Sequence, residues 1–171
     1  MVWLMLLASF PLVYAPSCKK KEPPPAPAGE ILRPQIRKLP TIEMSLAGQP
    51  FSIELAFKNA DRIRGMMFRR SMPANTGMLF IFSQPEQRSF WMKNCLIDLD
   101  VAFLGADGRI LNTWTMKASA PDAADYGSYE SAGPMKYAIE LPAGTLARVG
   151  LKAGDLIEFP ERVGRIIPDP E

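Results

Sequence analysis

The chain has 171 residues, 47% of them hydrophobic and 22% charged, and a net charge of +2. That length suits one domain with appendages, and that apolar content supplies a core, so wholesale disorder is excluded. A small, unclustered charge with no aromatic-interleaved basic stripe argues against a nucleic-acid partner. The absence of histidine removes Ser-His and Cys-His nucleophile pairs, and two cysteines are too few for a metal cluster, so neither metal nor cofactor is expected.

Residues Met1 to Ser17, MVWLMLLASFPLVYAPS, form an apolar run that ends in small residues just before Cys18. It is shorter than a spanning helix usually needs and reads as an export signal peptide. Here the chain resembles a bacterial lipoprotein, which implies cleavage before Cys18, lipidation of that cysteine and a location in the cell envelope, tethered to a membrane. Cleavage after Ala15 and an uncleaved short anchor are the alternatives. Lys19, Lys20 and Lys21 would add attraction to anionic head groups, and EPPPAPAG would extend as a polyproline spacer through residue 29. The folded part is expected over residues 30–171, with Ile31 to Leu39 as a loosely tied arm.

From Thr41 the hydrophobic period is two. Ile42, Met44 and Leu46 alternate with polar residues, and Phe51, Ile53, Leu55 and Phe57 resume after a turn, which predicts a β-hairpin with one buried face. Asn59 or Asp61 can cap a short helix carrying Ile63, Met66 and Met67, with Arg62, Arg64, Arg69 and Arg70 read first as a solvated face and second as an anion site. Met78 to Phe82, MLFIF, is apolar on both parities and belongs at the centre of a sheet.

The run FWMKNCLIDLD, Phe90 to Asp100, breaks the pattern. As one continuous strand it would turn Lys93 inward with Trp91 and Cys95, and an unpaired buried ammonium costs several kcal/mol. A bulge near Asn94 would instead send Phe90 and Met92 to the core and turn Trp91 and Lys93 outward. Asp98 and Asp100 share a strand face, which reads first as solvated and second as a carboxylate pair.

Ala106 to Gly108 predicts a hairpin turn into a strand over Arg109 to Met116. Lys117 to Pro134 has the composition of a long loop, either functional or mobile. Tyr137 to Leu141 is a further strand, Ala143 to Val149 a second short helix closed by Gly150, and Leu156 to Phe159 a last strand before a loosely held tail. The fold class expected is mainly β (α+β), a single compact β-rich barrel or sandwich-like domain with two short helices.

RGMMFR at Arg64 to Arg69, GMLFIF at Gly77 to Phe82, FWMKN at Phe90 to Asn94, LD at Leu99 to Asp100, DGRI at Asp107 to Ile110, ELPAGT and GLKAGD together resemble one family. It is the bacterial and archaeal "domain of unknown function 192" group, and the resemblance covers nearly all of Pro40 to Phe159. It implies a compact β-rich domain with short helices, often exported, and brings no established activity. Arg64, Trp91, Lys93, Asn94, Asp100 and Tyr129 match its pattern and form the candidate ligand-binding set. Cys95 and Asp98 stand where the family usually has Thr and Pro, and Cys95 reads as a small buried residue.

The first functional reading is a binding module of the cell envelope. Trp91 would supply a flat apolar contact and Lys93, Asn94 and Asp100 hydrogen bonds, for an envelope glycan or a small-molecule ligand. The second is an enzyme using Lys93 with Asp98 or Asp100 as acid and base. The third is a protein-interaction or assembly factor docking through a sheet edge or the Lys117 to Pro134 loop.

Overall fold

The computed structural model describes residues 38–120 and 123–170. The expected signal peptide, Cys18 and the Lys/Pro-rich linker lie outside the described residues. Among the described residues, no helix is long and apolar enough to cross a membrane.

The alternation from Thr41 produces β1 (Thr41–Leu46), which buries Ile42, Met44 and Leu46 and exposes the residues between them. Ala47 (φ 48°) and Gly48 (φ 80°) take left-handed backbone in succession, the geometry of a tight hairpin turn. β2 (Gln49–Ala56) therefore returns antiparallel, with Ile53 opposite Ile42 and Phe51 opposite Met44. α1 (Asn59–Arg64) follows; Lys58 occupies its cap position and no side chain caps it, so neither Asn59 nor Asp61 has the expected role. β3 (Thr76–Glu86) then runs parallel to β2.

β4 (Ser89–Trp91) is short, and β5 (Leu99–Leu104) and β6 (Ile110–Met116) form the expected hairpin. The predicted long loop contains β7 (Ser128–Glu130), which pairs with β4 in a small two-stranded sheet. β8 (Met135–Pro142), α2 (Thr145–Val149) and α3 (Glu161–Gly164) complete the elements. The main sheet has six strands in the order β1-β2-β3-β8-β5-β6, so β1 and β6 are its edges and it does not close into a barrel.

MLFIF is central, as its two-sided hydrophobicity predicts. Leu79 and Ile81 join Ile139, Leu141 and Leu104 in one cluster, closed by α2 and α3 through Leu146 and Val163. Met78, Phe80 and Phe82 join Val101, Phe103 and Met92 in the cluster on the other face. Gly77 permits this packing, because a Cβ there would lie 2.7 Å from the Glu140 carbonyl oxygen and 2.6 Å from Leu141.

Three regions depart from their sequence reading. The last strand shrinks to one bridge, Leu156 to Arg109. The tail is held: it forms α3, a third short helix, and Arg62 donates from Nη2 to the Asp169 carbonyl at 2.9 Å. The arginines do not form one solvated face: Arg70 is exposed, but Arg62 is buried and also donates to the Phe57 and Ile81 carbonyls, and Arg69 holds the Glu54 carboxylate with both terminal nitrogens. The contact between Arg62 and the tail joins residues 107 apart in the chain, which local periodicity does not report.

Candidate functional site

The RGMMF segment leaves α1 through Gly65, whose backbone (φ 45°, ψ −128°) suits glycine; a Cβ there would press on the Phe80 ring at 3.2 Å. The turn drops Met66 into the core and sets Met67 beside it. Phe68 (φ 65°) takes a conformation rare for a bulky residue, and its N–H donates to the Asn94 carbonyl at 2.8 Å.

The FWMKN segment is not a continuous strand. β4 stops at Trp91, Lys93 and Asn94 form a turn with Asn94 left-handed (φ 58°), and the Cys95 N–H donates to the Met92 carbonyl at 3.0 Å. Met92 is consequently buried and Trp91 exposed, the side-chain directions that a break near Asn94 predicts. Phe90 enters the core edge-on to Phe80 and Phe103, with centroids at 5.0 and 5.2 Å, contacts worth about 0.5–1.5 kcal/mol each beyond burial.

Between these two turns lies a cavity of about 300 Å³. The α1 segment supplies Arg62, Arg64, Met66 and Met67, β3 supplies Phe80 and Phe82, and Arg88, Phe90, Trp91, Cys95 and Glu140 complete the lining. Arg88 lies over the Phe82 ring at 4.3 Å and pairs with Glu86 at 3.2 Å, while Arg62 is engaged by backbone carbonyls. Arg64 Nη2 and Glu140 Oε2 are buried atoms with no hydrogen-bond partner among the described residues.

Glu140 was not singled out from the sequence. It sits in β8 opposite Met78 and Val101, on the face of the sheet that packs against Phe80 and Phe103, and only 5% of it is exposed. Burial pushes its carboxyl from an ordinary 4.5 up to about 8, against a smaller opposing pull from Arg69. The signal in the sequence was a carboxylate inside YAIEL, legible only once that strand is known to be covered on both faces. Cys95 lies beside it; burial first, and the Glu140 charge second, raise its thiol to about 12, so it is neutral at ordinary pH and a poor nucleophile.

The six sequence candidates are distributed unevenly around this cavity. Arg64 and Trp91 line it. Asn94 borders it, its side-chain amide 3.9 Å from the sulfur of Met67. Lys93 stands outside, its ammonium over the rings of Trp91 at 5.8 Å and Tyr126 at 5.7 Å, beside a shallow recess shared by Trp91, Asp125, Tyr126 and Ser128. Tyr129 pairs with Phe90 across the small sheet, and its hydroxyl accepts from the Lys117 N–H at 3.2 Å.

Asp100 is elsewhere. It points to the opposite face of the main sheet, where it accepts from Thr115 Oγ at 2.8 Å and from the Leu146 N–H in the first turn of α2 at 2.9 Å. It is 2% exposed, so the solvated-face reading fails for it. Asp98 precedes β5 and accepts from Ala118 N–H at 2.7 Å and Lys117 Nζ at 2.9 Å, which hold its carboxyl below the usual range. The two carboxylates thus form no pair, and each is engaged by partners other than Lys93. Among the described residues, no group of three Cys, Asp or Glu side chains could hold a metal ion.

The family DUF192, described as "Uncharacterized ACR", matches residues 42–159. No curated protein matches. A solved protein of unknown function from Novosphingobium aromaticivorans DSM 12444 is 32% identical, with a TM-score of 0.64 over 73% of this chain and 89% of that one. A second, from Sinorhizobium meliloti 1021 and described as a candidate transcription regulator, is 33% identical, with a TM-score of 0.58 over 69% of this chain and 90% of that one.

Proposed function

Because the chain belongs to the DUF192 family, which is described only as uncharacterised, we propose its role from the geometry of the cavity: a ligand-binding β-domain of the cell envelope. One observation carries this reading: Arg64 and Glu140 line one cavity, and Arg64 Nη2 and Glu140 Oε2 are buried without a hydrogen-bond partner among the described residues. In a closed core each such group would cost about 1–3 kcal/mol, and a ligand that satisfies both recovers that cost on binding. A volume of about 300 Å³ lies at the lower end of small-molecule sites, which span roughly 300–1,000 Å³. Ile63 and Trp91 also line it and are 61% and 56% exposed, so an envelope glycan or small molecule would meet apolar contacts at the rim.

The envelope setting rests on the leader-like residues 1–17 and on Cys18 followed by three lysines. The cysteine would carry the lipid that tethers the domain to a membrane. Replacing it (Cys18→Ala) should move the exported protein from the membrane to the soluble fraction; unchanged membrane retention would remove the lipid anchor from the proposal.

The binding test is a thermal-stability screen of the full chain against envelope glycans, peptidoglycan fragments and small metabolites. A ligand at a hundred times its dissociation constant should stabilise the native state by about 2.7 kcal/mol. The shift should vanish in Arg64→Ala. A flat screen across all classes would sink the binding-module reading.

A further inference from the structure

Granting that the cavity binds a ligand, the charges around it select among ligand classes. Three guanidinium groups, Arg62, Arg64 and Arg88, and a single carboxyl, Glu140, line it. Arg62 and Arg88 are committed to protein carbonyls, to Glu86 and to the Phe82 ring, whereas Arg64 Nη2 is buried and has no hydrogen-bond partner among the described residues, so it is the donor a guest entering the cavity would satisfy. In the same lining, Glu140 of β8 has a side-chain oxygen, Oε2, buried without a hydrogen-bond partner among the described residues. The remaining walls are mostly aromatic and thioether surface, with Ile63, Cys95 and the uncharged polar residues Asn59 and Ser89.

We infer that the cavity takes an organic monocarboxylate with an apolar body, its carboxylate set between the Arg64 guanidinium and the Glu140 carboxyl and its body against Phe80, Phe82 and Phe90. A cationic guest would face three guanidiniums, and a phosphate dianion would need charge-assisted donors for three oxygens where Arg64 Nη2 and one protonated Glu140 oxygen offer two. A carboxylate suits both ends of the site. One oxygen accepts from Arg64 in a charge-assisted bond, and the other accepts from the O–H of Glu140, a buried carboxyl that stays neutral near pH 7.

This assigns the site a pH response. The groups around Glu140 are the guanidiniums of Arg62, Arg64 and Arg88 in the cavity lining, Arg69, which holds Glu54 and pulls against the effect of burial, and Cys95, whose thiol burial raises to about 12. The neighbouring strand residues Met78 and Val101 carry no charge. Ionisation of Glu140 therefore governs binding, and a guest carboxylate should be expelled as pH rises past about 8.

The experiment is isothermal titration of the full chain with phenylacetate, 3-phenylpropionate and octanoate, against phenylacetamide, phenethylamine and benzylphosphonate. The carboxylates should bind at least about tenfold tighter than the matched amide, amine and phosphonate, a difference of about 1.4 kcal/mol. Arg64→Gln, at a half-buried helix end, should abolish that preference. Glu140→Gln keeps a donor without titrating, so it should still bind carboxylates, with the loss above pH 8 removed. Preference for the amine or the phosphonate would overturn the inference and leave the binding-module reading standing. Carboxylate binding with an unchanged pH profile in Glu140→Gln would overturn the role given to Glu140. If no probe binds and the broad screen is also flat, both fall.

Discussion

The Phe68 N–H donates to the Asn94 carbonyl at 2.8 Å, and both residues hold left-handed backbone, φ 65° and 58°. One bond thus ties the turn after α1 to the turn after β4, the two turns that carry Met67 and Trp91 to the cavity. Left-handed backbone costs an ordinary residue about 1–2 kcal/mol, and asparagine and glycine less. Asn94→Gly should keep the stability of the native chain to within a few tenths of a kcal/mol, and Asn94→Ala should lose about 1 kcal/mol. Urea midpoints decide it: equal midpoints for the two variants would mean the backbone conformation at Asn94 is not limiting.

Glu140 makes stability depend on pH. Its carboxyl titrates near 8 in the fold against an ordinary 4.5, so between those values the native state keeps a proton that the unfolded chain has released. Its contribution is therefore complete below about pH 4.5, declines as pH rises toward 8, and is constant above that. The slope in this window reaches about 1.4 kcal/mol per pH unit. Glu140→Gln should flatten the difference between denaturation midpoints measured at pH 5 and pH 8, and a slope unchanged by the substitution would contradict the assignment.

What could be read in advance follows the range of the interactions involved. Alternation in β1 and β2 and the two-sided apolar run of β3 are local signals, and each strand lies where its period placed it. The break in FWMKN was legible because Lys93 could not sit comfortably inward, and the chain does turn there. Glu140 and Asp100 were read wrongly or passed over for one reason. Alternation with apolar neighbours suggests an exposed face, whereas both strands are covered on both sides by elements distant in sequence. The hold of Arg62 on Asp169 spans 107 residues, beyond any periodicity.

Asp100 stabilises the fold without touching the cavity. Its carboxylate serves the Thr115 hydroxyl and the Leu146 N–H while almost wholly buried. Hydrogen bonds to a charged group contribute about 1.5–3 kcal/mol, so Asp100→Ala should destabilise by roughly 3 kcal/mol as two donors lose their partner. Asp100→Asn, which keeps one acceptor, should cost less. At temperatures where the variant stays folded, its affinity for any cavity ligand should match the parent chain; a tenfold loss there would place Asp100 in the binding machinery after all.

Cys95 lines the cavity, yet its thiol should be chemically silent. Nucleophilic attack needs the thiolate, and with the thiol raised to about 12 the ionised fraction at pH 8 is on the order of one in ten thousand. Access is restricted as well, because 5% of the residue is exposed and its N–H and carbonyl are tied to Met92 and Ser119. Iodoacetamide at pH 8 should leave the Cys95 peptide unmodified in the native protein and alkylate it fully in urea, as read by peptide mass spectrometry. Glu140→Gln removes the charge that helps hold the thiol neutral, but leaves burial, the larger cause, in place. The native thiol of that variant should therefore remain unreactive too. Rapid native labelling in the parent chain would mean that the Cys95 thiol is open to reagent, and that the carboxyl of Glu140 beside it is hydrated rather than buried.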